Sequence, residues 1–174
     1  NYSAPIVTIT DANGTGAAAT ATIGGTLTGG IRKFINRMPQ LGPAGANDII
    51  QAHGAGQYLS VAVADTTAYP AVVGPPAKPA SDYYEIALVE FSEKMHSDLP
   101  ATRLRGYVQL STTGTGVALT NLDGSAILKP DGNPALAVDN PHYLGPVIVA
   151  KGRAHGVAGA AGEPVPVRIK FYNL

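Results

Sequence analysis

Tyr83-Tyr84-Glu85-Ile86-Ala87-Leu88-Val89-Glu90-Phe91-Ser92 is the run whose reading decides the fold. In an extended chain Tyr84, Ile86 and Leu88 fall on one face and Ala87, Val89 and Phe91 on the other. The run therefore predicts a strand whose centre is covered on both sides. Before it, Leu59 to Ala64 alternates as a strand, and Pro70 to Pro79 carries four prolines in what reads as an extended, exposed connection. After it, Leu104 to Leu110, Val117 to Thr120, Ile127 to Lys129 and Pro146 to Ala150 read as strands separated by Gly, Asn, Asp or Pro. Val165, Val167, Ile169 and Phe171 alternate with Pro166, Arg168, Lys170 and Tyr172 in a last, half-buried strand.

Further out, Pro5 to Thr10 is β-branched, Asp11-Ala12-Asn13-Gly14 supplies turn residues and Ala17 to Ile23 reads as a second strand, which together predict a hairpin. Residues 1 to 27 form a Thr-, Ala- and Gly-rich extension that resembles the β-repeats of bacterial surface proteins, ahead of a domain over 28 to 174. One helix is predicted after Gly30, where Arg32, Lys33 and Arg37 surround Ile31, Phe34 and Ile35, and Pro39 ends it. Residues 42 to 57 read as a long loop. Many short strands and frequent turns predict an all-β sandwich.

Composition narrows the function. Twelve Lys and Arg balance twelve Asp and Glu for a net charge of 0, which argues against nucleic acid or anionic lipid as a partner. The chain has no cysteine, so disulfides, thiolate metal sites and cysteine nucleophiles are excluded. Gly (21) and Pro (14) together make up 35 of 174 residues, about a fifth against a usual ~12%, which favours turns over long helices. No run reaches the ~18 apolar residues of a membrane-spanning helix. The first residue is Asn1 and not Met, which reads as a mature product of a secreted or cell-surface protein.

Several stretches resemble a known family. Asp82-Tyr83-Tyr84-Glu85-Ile86, Glu93-Lys94-Met95-His96-Ser97-Asp98-Leu99-Pro100 and Arg103-Leu104-Arg105-Gly106-Tyr107-Val108-Gln109-Leu110 look like the N-terminal part of bacterial secreted multicopper oxidases. Asn140-Pro141-His142-Tyr143-Leu144-Gly145-Pro146, Val147 to Ala150 and Pro164 to Leu174 resemble the family's first cupredoxin domain. The resemblance spans residues 28 to 174, with departures near Gln51 to Gly56 and Arg153 to Glu163. It implies a cupredoxin-like Greek-key β-sandwich, complete or cut short at Leu174, with the β-hairpin as an N-terminal extension.

Such enzymes hold copper through His-x-His pairs, in which alternate strand residues point the same way, and through a His-Cys-His site. This chain contains neither. The expectation is no copper or other cofactor in this chain, copper only in the intact family, and no catalytic, cofactor-binding or metal-binding residue here. A bound copper would require the scattered histidines His53, His96, His142 and His155 to converge, His142 and His155 foremost. Met95-His96 offers two copper-compatible side chains, but strand neighbours face opposite ways.

Other motifs are weaker. Gly14-Thr15-Gly16-Ala17-Ala18-Ala19 matches G-x-G-x-x-A, yet the β-branched sequence after it does not suit the helix a dinucleotide loop needs. Ser97 lies between His96 and Asp98 without a G-x-S-x-G context and reads as a polar turn. Glu85, Glu90, Glu93 and Asp98 could form an acidic face for divalent cations, or simply keep a strand's outer side wet and deter edge pairing. Arg32, Lys33 and Arg37 read as a solvated helix face.

Two functions follow. One is the N-terminal segment of a secreted multicopper oxidase, whose intact form oxidises phenols or metal ions while reducing dioxygen to water, with downstream oxidase domains as partners. The other is a non-catalytic surface protein whose copies assemble into oligomers or filaments by β-strand addition, Pro5 to Thr10 being the donor.

Overall fold

The computed structural model describes residues 5–10, 18–23, 31–76, 78–150 and 164–174. The chain divides into two compact units, Asn1–Phe34 and Ile35–Leu174. In the first, β1 (Pro5–Thr10) and β2 (Ala18–Ile23) pair antiparallel, from Pro5 opposite Ile23 to Thr10 opposite Ala18. The predicted hairpin is therefore present, while its turn at Asp11 to Gly14 lies outside the described residues. Ala18 and Ala19, the end of the G-x-G-x-x-A match, sit in a strand and not in the helix that a dinucleotide loop requires.

The second unit is built on one open, mixed sheet of five strands. These are β3 (Asp82–Lys94), β4 (Ala101–Leu110), β5 (Val117–Ala118), β6 (Leu136–Ala137) and β7 (Val167–Asn173), in the spatial order β5-β6-β4-β3-β7. The all-β reading holds, and no α-helix occurs among the described residues. The run that decided the fold is the central strand: β4 pairs with it antiparallel, and β7 pairs with it in parallel from Asp82 opposite Val167 to Leu88 opposite Asn173. Tyr84, Ile86, Ala87 and Val89 of this strand are all buried.

One sheet face closes over a core that the sequence reading missed. Ala87, Val89 and Phe91 of β3 lie beside Val108 and Leu110 of β4, and Leu119, Ile127 and Ala135 pack on them. These last three residues are eight apart and belong to three short legs joined by two matching turns, Asn121-Leu122-Asp123-Gly124-Ser125 and Lys129-Pro130-Asp131-Gly132-Asn133. Their backbones form a closed ring: Leu119 N–H donates to Ala135, Ile127 to Leu119 and Ala135 to Ile127, at 2.8 to 3.0 Å. Each turn also repeats the other's bonds, Asn121 to Ser125 matching Lys129 to Asn133. The eight-residue repeat thus satisfies its own backbone while aiming one apolar side chain per leg at the sheet.

Several predicted elements differ. Residues 31 to 40 are not helical, because Phe34 takes a positive φ of 59° that interrupts a right-handed helix. Beyond it, Asp48 accepts from the Arg37 N–H at 2.9 Å, and Asn36 bonds Ser97, so side chains compete for the backbone that a helix would use. Leu59 to Ala64 is extended but touches neighbours only at single points, Leu59 with Leu41 and Val61 with Val147. Its Val63 is paired by a side chain: Gln109 Oε1 accepts from Val63 N and Gln109 Nε2 donates to Val63 O, at 2.8 and 2.6 Å. Pro146 to Ala150 likewise contributes only Val147. Pro70 to Pro79 is exposed as expected but folds back on itself, with Val72 and Lys78 exchanging two backbone bonds.

Candidate functional site

The loop over residues 42 to 57 carries a single 3-10 turn, Pro43–Gly45, and is otherwise held by amide side chains. Asn47 Oδ1 accepts from the N–H groups of Ile49 and Gln57 at 3.0 and 2.9 Å, and Asn47 Nδ2 donates to Gln57 Oε1. Gln51 pairs with the backbone of Lys94 through both its oxygen and its nitrogen, which fastens the loop to the end of β3. Gln51 also closes a tight turn, its N–H donating to Ala55 and its carbonyl accepting from Gly54. That turn presents His53.

His53 stands next to His142, with ring centroids 6.0 Å apart and the rings edge to face. Nothing in the sequence brings two of the four histidines together, and the pair expected first for a bound copper is His142 with His155. His155 lies outside the described residues. His142 is nearly sealed, with its side chain 1% exposed, and its Nδ1 is 2.8 Å from Oε1 of Glu93, itself 2% exposed. The second oxygen of Glu93 accepts from the Tyr143 N–H at 2.7 Å. Since the carboxylate only accepts, the shared proton is assigned to Nδ1. Tyr58 packs edge-on to His142 at 4.5 Å, and its hydroxyl donates to Asp139. Burial, then the Asp139 bond, raises the Tyr58 phenol above its ordinary range. His53 titrates below the ordinary imidazole value, first because it is partly desolvated and second because His142 is close.

The acidic residues do not make one face. Glu90 lies on the opposite side of β3 from Glu85 and Glu93 and pairs with Arg103 in solvent, Glu93 is buried on His142, and Asp98 sits in the turn beyond the strand, its N–H donating to His96 Nδ1 at 3.0 Å. Ser97 Oγ is taken by Asn36, so the His96-Ser97-Asp98 run is a turn. Glu85 clamps two strands together: Tyr83 of β3 donates to one of its oxygens at 2.9 Å and Tyr172 of β7 to the other at 3.2 Å. Tyr83 and Glu85 line a 630 Å³ cavity with Asp65, Ser111 and Lys129.

Asp65 offers a pH test of this corner. Its Oδ1 accepts from the Thr67 hydroxyl and N–H and from Ala68 N–H, at 2.7 to 3.1 Å. These bonds, the Thr67 hydroxyl first, push its carboxyl from 3.8 down to about 2. A depressed folded value means that the stabilisation is full above the unfolded value and fades as pH falls through about 2. A carbon-detected NMR titration is expected to give that low midpoint, and Thr67→Val to move it back towards 3.8. An unshifted midpoint in the unaltered chain would contradict the hydrogen-bond assignment.

Among the described residues, no three His, Asp or Glu side chains are grouped to hold a metal ion, and no helix is long and apolar enough to cross a membrane. No protein-family model matches the chain, and no curated protein or solved structure matches it either.

Proposed function

We propose that the unit Ile35–Leu174 is the opening part of the first cupredoxin-like domain of a secreted multicopper oxidase. Its role there is to build and cover the domain, while copper ligands elsewhere in the polypeptide carry the oxidation of phenols or metal ions. The observation that carries this reading is the parallel pairing of β7 with β3. Those strands contain two of the separate stretches on which the family resemblance rests, and the fold lays them side by side in an unbroken register. A second observation agrees. The Tyr107 and Phe171 rings meet at 6.1 Å on the outer sheet face, yet are 51% and 63% exposed. The second sheet of a Greek-key sandwich would lie over such a face, and the open edge of β7 would receive its next strand.

The residues of this chain do not fit the oxidase coppers. It has no His-x-His pair and no cysteine, and each described histidine stands on a different segment. No electron-transfer step is therefore assigned to it. The other reading, a copper-free surface protein that assembles by strand addition, draws on the same open β7 edge. Its intended donor, β1, is already paired along one side with β2.

Oxygen uptake with a phenolic substrate separates the two. The polypeptide isolated from its source is expected to consume oxygen and to lose that activity on copper chelation, whereas residues 1 to 174 alone are inert. A source polypeptide that is equally inert, with or without added copper, would overturn the oxidase reading.

A further inference from the structure

The geometry points to a site for one zinc-class transition-metal ion between His142 and His53, with Glu93 orienting His142. The inference rests on this cluster alone and stands independently of the oxidase reading. A metal-ligating histidine characteristically donates its other ring N–H to a carboxylate, which fixes the tautomer and makes the ligating nitrogen more basic. Glu93 does this for His142 at Nδ1, and is itself held by the Tyr143 N–H. The lone pair is thereby left on Nε2, which is buried and has no hydrogen-bond partner in the protein. A buried polar atom without a partner is costly. Here it belongs to an imidazole whose other side already carries a ligand's usual support.

His53 supplies the second nitrogen. Metal–nitrogen bonds of about 2.0–2.1 Å place the centroids of two rings on one ion roughly 5 to 6 Å apart. The observed 6.0 Å lies at the edge of that range. His53 sits on an exposed turn, so it can close on an ion without disturbing the core. Glu93 and Asp139 place negative charge near it, in a direction that favours a bound cation. A 420 Å³ cavity lined by His53, Gln51, Glu93 and Asn140 lies on the His53 side of the pair. Two imidazoles select zinc, copper or nickel over calcium or magnesium, and water completes the shell.

Zinc chloride is the probe. Calorimetry on the full chain at pH 7.5 is expected to show one zinc bound, and the ¹⁵N resonance of His142 Nε2 to shift as its lone pair is engaged. His53→Ala, on an exposed turn, removes the binding with the far-UV spectrum unchanged, and Glu93→Gln weakens it by ~10–100-fold. Binding that survives His53→Ala, binding that is removed instead by His155→Ala, an unmoved His142 Nε2, or no stoichiometric zinc would each overturn the proposal.

Discussion

Glu93→Ala is expected to destabilise the Ile35–Leu174 unit by about 2–5 kcal/mol, because two buried donors lose their acceptor at roughly 1–3 kcal/mol each. The substitution leaves His142 Nδ1 and the Tyr143 N–H without acceptors in a region sealed from water. A domain of this size is stable by only about 5–15 kcal/mol, so the loss is a large share of the total. Glu93→Gln retains an oxygen for one of the two donors and should lose less. Arg103→Ala removes the partner of Glu90 at a solvent-exposed pair and should leave the urea midpoint where it was. Equal midpoints for Glu93→Ala and Arg103→Ala would mean that the buried pair does not hold residues 139–145 to β3.

Gly56→Ala is expected to cost about 3 kcal/mol. A Cβ on Gly56 would lie 1.9 Å from the Asn47 carbonyl oxygen, far inside any permitted contact, so the backbone must separate. Separation breaks the Asn47 N–H bond to the Gln57 carbonyl and strains the two bonds that Gln57 makes with the Asn47 side chain. Each is worth about 0.5–1.5 kcal/mol. Gly54 is the matched control, with a positive φ of 89° but nothing within 4 Å of an added Cβ. Gly54→Ala therefore carries only the left-handed backbone strain of roughly 1–2 kcal/mol. Thermal unfolding of the two variants should rank Gly56→Ala as the more damaged, and the reverse order would contradict the packing of this loop.

The sequence was legible where one strand carried its own pattern. Alternation across Tyr83 to Ser92 announced a strand buried on both faces, and β7 and the β1–β2 hairpin were visible for the same reason. Legs of two to four residues give no alternation to read, so the eight-residue repeat through Leu119, Ile127 and Ala135 passed as isolated scraps of strand. Its signal was available in the paired Asp-Gly turns at 123–124 and 131–132. The false helix after Gly30 had apolar residues at suitable spacing, but Ile31 and Phe34 are exposed. Segments such as Leu59 to Ala64 lost regular pairing to the amide of Gln109, a side-chain contact with no sequence signature.

The histidine site was hidden for a related reason. His53 and His142 belong to distant loops, and only the anchoring of the first loop by Gln51 and the burial of the second on Glu93 bring their rings together. Glu93 itself looked like an outer carboxylate on a wet strand edge. Its position on the face of Ala87, Val89 and Phe91 was the available clue, since an acid in register with a core stripe must find a buried partner.

The central proposal is that this chain is the front of a copper oxidase and holds none of the oxidase's own coppers. The most direct test is native mass spectrometry of the polypeptide purified from its source, which reads chain mass and bound copper together. The account predicts a chain much heavier than 17.7 kDa that carries several copper ions. A copper-free species at 17.7 kDa would contradict it.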